Sequence, residues 1–204
     1  MRLNTPSICA SVIAHSVEEF LATLNKIEHA DIIEIRADGL KLKNNGHVSP
    51  IRALLKEAKG ANLPIILTVR MSKEGGSFSG TEAQRIECIK EGIKYADMLD
   101  IELGMAGEDR DELISIAKSK KVPVILSYHD FKNTPGEDKM MAILKEEEKL
   151  GASVSKLAVT ANSEADVLRL LGVTKEAKKL LKIPFCTISL GKIGAISRIA
   201  APVF

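Results

Sequence analysis

Two textures alternate along the chain. Short, almost continuous apolar runs rich in Ile, Val and Leu recur at Ser7–Ile13, Ile32–Asp38, Ile65–Arg70, Met98–Leu103, Val124–Asp130, Val154–Thr160 and Phe185–Gly191. Runs of this length and density predict parallel strands covered on both faces. Amphipathic stretches with helix punctuation lie between them. Ser16 followed by Glu19 predicts a capping box ahead of Phe20, Leu21 and Leu24, and Thr81 with Gln84 predicts another ahead of Ile86, Ile89 and Ile93. Pro64, Pro123 and Pro184 each stand just before a strand, where a missing amide donor does least harm.

Seven strand–helix units in 204 residues average about 29 residues each, the size of a βα unit. Strict alternation leaves a doubly wound open sheet or a (β/α)₈ barrel. No GxGxxG follows the first strand, which weakens the nucleotide-binding open sheet. The polar residues favour the barrel. Glu34, Arg36, Asp38, Arg70, Glu102, His129, Asp130 and Lys156 sit within, or at the C-terminal ends of, strands from different units. A barrel gathers such ends at one mouth, where its chemistry is done. The expected fold is therefore α/β, a (β/α)₈ TIM-type barrel forming a single domain over residues 1–204. Eight units need roughly 230 residues or more, against a typical ~250. The expectation is thus a barrel without its last strand–helix unit in this chain, leaving hydrophobic edges at Ser7–Val12 and Phe185–Leu190. The charge run Lys145–Lys149 reads as a solvated helix face, and Ser72–Gly80 (SKEGGSFSG) as either a mobile lid or an idle loop.

Composition narrows the function classes. The chain is 45% hydrophobic and 27% charged, which supports a packed core and argues against disorder. With 29 Lys plus Arg against 27 Asp plus Glu, the net charge of +2 gives no reason to expect nucleic acid or an anionic membrane as partner. No apolar run approaches the roughly 18 residues of a membrane span. The N-terminal stretch Met1–Pro6 lacks the apolar segment of a signal peptide. Three scattered cysteines (Cys9, Cys88, Cys186) with no CxxC pair disfavour both a metal centre and a disulfide framework, so a cytoplasmic location is expected. His15, His29, His47 and His129 show no metal-ligand spacing. Only 3% aromatic residues and no Trp leave no stacking surface for bases.

Several residues invite chemistry. Lys156 lies inside the apolar strand Val154–Val159, where an ammonium is costly unless paired or neutralised. It is either a nucleophilic amine made reactive by desolvation or a lysine reaching out to solvent. His129 closes the fifth strand, suited to moving a proton near neutral pH or to a structural hydrogen bond. Neighbouring strands five and six would set it beside Lys156. Glu34 and Arg36, two apart on one strand, share a face and suit either a hydroxylated anionic ligand or a structural ion pair. Arg70 ends strand three, with Glu74 in the following loop as an exposed charge or a group orienting a base. After strand seven, Gly191–Arg198 is either an anion site supplemented by Arg198 or an ordinary loop.

Together these residues resemble type I 3-dehydroquinate dehydratase, the Schiff-base enzyme of the shikimate pathway, in its compact, archaeal-type form. The resemblance runs colinearly from Ser7 to Phe204. It rests on Glu34–Asp38 (E-x-R-x-D), Thr68–Arg70 with Lys73–Gly76 (T-x-R-x-x-K-E-G-G), Ser127–Phe131 (S-x-H-D-F), Lys156–Val159 and Gly194–Arg198. It implies that Lys156 forms an imine with the substrate ketone, that His129 moves the protons of a syn elimination, and that Glu74 orients His129. Glu34, Arg36 and Arg70 would hold the ring and hydroxyls of 3-dehydroquinate, and Arg198 its carboxylate. It further implies a hydro-lyase that needs no cofactor or metal and acts as a cytoplasmic homodimer. The chain departs from the family in carrying Leu190 where a methionine is common. The family also continues past the equivalent of Phe204 into an eighth strand and a lid loop. The alternative is a barrel-type class I aldolase with a Schiff-base lysine on strand six. A binding module built on a barrel is the non-enzymatic reading.

Overall fold

Alternating apolar runs and amphipathic stretches become seven strands and their connecting helices in the computed structural model, which describes residues 6–41 and 48–204. The strands are β1 Cys9–Ile13, β2 Ile32–Arg36, β3 Ile65–Thr68, β4 Met98–Glu102, β5 Val124–Asp130, β6 Val154–Thr160 and β7 Phe185–Leu190. The helices are α1 Val17–Leu24, α2 Val48–Ala58, α3 Glu82–Gly92, α4 Gly107–Ser119, α5 Glu137–Lys149, α6 Glu164–Leu180 and the short α7 Gly191–Gly194 and α8 Ser197–Ala200. His47 and residues 1–5 lie outside the described residues. No helix among the described residues is long and apolar enough to cross a membrane.

The chain divides into two compact units, residues 1–101 with 105–124 and residues 102–104 with 125–204. In the first, β1, β2, β3 and β4 pair in that order, all parallel. Register and the two-residue alternation sort their side chains onto two faces. Ile33, Ile35, Ile65, Leu67, Leu99 and Ile101 share one face and are at most 1% exposed. Glu34, Arg36, Thr68 and Asp100 share the other. The second face also carries the buried Ile66 and Met98, so the sequence reads as nearly continuous hydrophobicity broken by isolated polar residues.

In the second unit β5, β6 and β7 run parallel in order. The Leu103 amide after β4 donates to the Ser127 carbonyl at 2.8 Å. Leu157 and Val159 of β6 pack with Met140 and Leu144 of α5 and Leu170, Val173 and Ala177 of α6. Those buried side chains fix which face of β6 meets the helices.

β5 and β6 keep their expected boundaries. β2 and β3 end early, because residues 37–39 form a 3₁₀ turn and Val69 and Arg70 leave the strand. β7 stops at Leu190, where Gly191 takes a φ of +83°, a conformation that favours glycine. Thr81 and Gln84 form the expected reciprocal capping box. At α1 the box is one-sided: Ser16 accepts the Glu19 amide, but the Glu19 carboxylate turns to the His15 amide at 2.8 Å. The charge run on α5 is not wholly a solvated face. Glu147 is fully buried, because the core stripe Met140, Leu144 continues through it at helical spacing.

Candidate active site

The first unit carries a polar network on its charged face. The Thr68 hydroxyl donates to Glu34 Oε1 at 2.7 Å. Arg36 turns to a carboxylate two residues further on. Its Nε and Nη2 donate to Oδ1 and Oδ2 of Asp38, both at 2.8 Å, a fork-to-fork pairing that fixes the guanidinium plane. Hydrogen bonding to Asp38 holds the Arg36 guanidinium above its already high pKa, against the opposing effect of burial. Asp38 also accepts the Arg70 amide at 3.2 Å and the Ser77 amide at 3.0 Å, so one buried carboxylate ties the ends of β2 and β3 to the loop that follows. The Arg70 guanidinium lies 2.9 Å from Asp100 Oδ1, with both side chains at most 3% exposed.

Glu74 is no exposed loop charge. It sits buried in the 3₁₀ turn Ser72–Glu74. The turn depends on Gly76, where an added Cβ would lie 1.9 Å from the Arg70 carbonyl oxygen. Ser72–Gly80 is therefore a folded turn held by backbone approach and by Asp38.

The second unit holds the amine and the imidazole. Lys156 faces Ser127 across the β5–β6 pairing, and His129 stands opposite Ala158. Residues two apart on a strand share a face, so His129 lies one diagonal step from Lys156 on the same side of the sheet. Leu157 and Val159 take the helix-facing side, and Lys156 takes the other. Cys186 stands opposite Lys156 on β7. The His129 ring stacks against Phe131 at 6.1 Å between centroids, with planes 12° apart, which limits its rotation. Arg198 on α8 places Nη1 3.5 Å from the Ser189 carbonyl. Gly194 lets the single turn of α7 close on β7, since a Cβ there would meet the Ser189 oxygen at 2.4 Å.

The structure thus groups Glu34, Arg36, Arg70 and Glu74 in the first unit, and His129, Lys156 and Arg198 in the second. No group of three metal-ligating side chains stands together among the described residues. Three residues to which the sequence assigns no role are prominent: Thr68, Asp38 and Asp100, which hold Glu34, Arg36 and Arg70. Asp100 had a readable signal, a carboxylate inside the apolar run Leu99–Ile101, as Lys156 is an amine inside another.

Residues 8–204 match the family model described as type I 3-dehydroquinase. A 3-dehydroquinate dehydratase of Methanosarcina acetivorans is 39% identical over 200 residues, covering 96% of this chain and 81% of that protein. One from Methanococcoides burtonii is 37% identical over 196 residues, with the same coverage of 96% and 81%. Among solved structures, a type I 3-dehydroquinate dehydratase of Clostridium difficile with covalently modified comenic acid superposes with a TM-score of 0.92 at 31% identity, covering 98% of this chain and 81% of that one. The 3-dehydroquinate dehydratase of Geobacillus kaustophilus gives the same TM-score of 0.92 at 29% identity, with coverage of 98% and 80%. The expected α/β barrel class is borne out by these matches.

Proposed function

From the premise that the chain belongs to the type I 3-dehydroquinase family, we propose that Lys156 and His129 carry out its reaction, the dehydration of 3-dehydroquinate to 3-dehydroshikimate in the shikimate pathway. The observation that carries the assignment is the placement of an amine and an imidazole one diagonal step apart on one sheet face. The Lys156 amine adds to the C3 ketone and water leaves, giving an iminium that acts as an electron sink. His129 takes the neighbouring C2 proton. The electron pair released there expels the C1 hydroxyl, which leaves as water on receiving a proton from the same imidazole. Hydrolysis of the imine consumes one water, frees the Lys156 amine and releases the enone. One water is lost overall, and the chain's own lysine supplies the electron sink.

Glu74 is assigned to orienting His129. Glu34, Arg36 and Arg70 are assigned to the substrate's hydroxyls and ring, and Arg198 to its carboxylate. The pairing of Arg36 with Asp38 and of Arg70 with Asp100 supports a binding role, because it fixes each guanidinium before substrate arrives. The family resemblance supports a cytoplasmic homodimer as the working form.

The test follows the conjugated enone by its ultraviolet absorbance after mixing the protein with 3-dehydroquinate. The enone should appear with the wild-type chain and not with Lys156→Ala. Carbon–carbon cleavage products in place of the enone would indicate an aldolase, and turnover by Lys156→Ala would remove the lysine from the chemistry.

A further inference from the structure

Behind β6, on the side away from the Lys156 amine, the structure holds a carboxyl group that the reaction does not use. Glu147 is fully buried on the core stripe of α5. Its Oε2 accepts the Lys156 backbone amide at 3.1 Å and is hydrogen-bonded to the Ser155 hydroxyl. Ser155 is itself fully buried, and its Oγ lies 3.2 Å from the Leu144 carbonyl of the same helix. A helix core position of this kind would ordinarily take Leu or Met, as Met140 and Leu144 do. Burying a carboxyl group there costs free energy unless hydrogen bonds compensate it, and Oε2 bonds to two consecutive residues of β6.

We propose that Glu147 is a positioning residue for Lys156, clamping the β6 backbone at Ser155–Lys156 from the helix layer and so setting the direction in which the amine leaves the sheet. The clamp acts through the main chain, at the Lys156 backbone amide. A lysine has four side-chain torsions, so its Cα–Cβ vector is the one part of its path that the backbone can fix. A small misplacement of a reacting atom can cost a large factor in rate. The inference rests on Lys156 being the imine-forming residue.

The experiment measures the rate at which 3-dehydroquinate and borohydride fix an adduct on the intact chain, as a function of substrate concentration. Glu147→Met removes the acceptor while filling the space, and should lower the maximal trapping rate on the order of ten- to a hundred-fold. The half-saturating concentration should move by less than about twofold, since the binding groups are untouched. Glu147→Gln keeps a carbonyl oxygen for the Lys156 amide and should trap within about threefold of wild type. Glu147→Met combined with Ser155→Ala makes the contact apolar on both sides. It should restore the unfolding midpoint without restoring the trapping rate. If the methionine variants fail to fold, Glu147→Asp, which withdraws the carboxylate by one methylene, should fold and trap slowly. Wild-type trapping rates in a folded Glu147→Met, double or Glu147→Asp variant would overturn the proposal, as would a Glu147→Gln chain as slow as Glu147→Met. A wild-type chain that forms no adduct on Lys156 would instead overturn the assignment of Lys156.

Discussion

The two units place their charges by different means. In the first, each arginine at the ends of β2 and β3 has its own buried or nearly buried carboxylate: Arg36 with Asp38, Arg70 with Asp100. In the second, Lys156 is gripped through its backbone amide by Glu147 on the helix side of the sheet. Under the proposed roles, each kind of support suits its cation. A guanidinium that binds substrate stays charged whatever its neighbours do, so pairing costs it nothing chemically and fixes its plane. An amine that attacks a ketone needs its lone pair, and Glu147 reaches Lys156 at its backbone amide.

That contrast can be broken at several points. The largest effect is expected in the second unit. His129→Ala should lower turnover by roughly 10²–10⁴-fold while the imine still forms, so borohydride trapping persists as product disappears. Near-normal turnover would remove His129 from proton transfer. In the first unit the main damage should be to folding. Asp100→Ala leaves Arg70 as a buried cation without this partner, which should destabilise the chain by about 3–5 kcal/mol in urea unfolding. A loss below 1 kcal/mol would mean that the pair is not what holds Arg70.

The thiols of the two units also differ, with a smaller expected effect. Burial, with a lesser contribution from Glu87, pushes the Cys88 thiol in the first unit up to about 12 from its ordinary 9.0. Above pH 9 the unfolded chain gives up the Cys88 proton while the folded chain keeps it. The thiol's contribution to stability is therefore fully present below about pH 9 and is lost as pH rises towards about 12. Replacing Cys88 by Ala should flatten that alkaline decline. Cys186 in the second unit is exposed and stands opposite Lys156. At pH 8 a thiol reagent should modify Cys186 and spare Cys88, and 3-dehydroquinate should slow the modification, as peptide mapping would show. Equal labelling of both cysteines would contradict the burial of Cys88.

Much of this was legible in the residue pattern. β5 and β6 could be bounded to the residue, because Val124–Asp130 and Val154–Thr160 start after a proline or glycine turn and carry their polar residues at the end or in one short interior group. The partners of the site were not legible. Asp38 reads as a strand-end charge, and only the 3₁₀ turn at residues 37–39 brings its carboxylate to Arg36, Arg70 and Ser77 at once. Glu147 was hidden by the charges around it. Lys145–Lys149 looks like a solvated run until its phase is set by Met140 and Leu144, which puts Glu147 inward and its neighbours outward. Ser163 with Asp166 also forms a reciprocal capping box at α6, with the same spacing as Ser16–Glu19 and Thr81–Gln84. A capping box usually carries Glu or Gln at its third helical position, and the shorter Asp hides this one.

The central claim is that Lys156 forms the covalent intermediate. Its most direct test is peptide mapping by mass spectrometry after reduction of a 3-dehydroquinate mixture with borohydride. A substrate-derived mass on Lys156, absent when either reagent is withheld, is the predicted result. An adduct on a different lysine, or turnover to the enone with no reducible adduct at all, would contradict it.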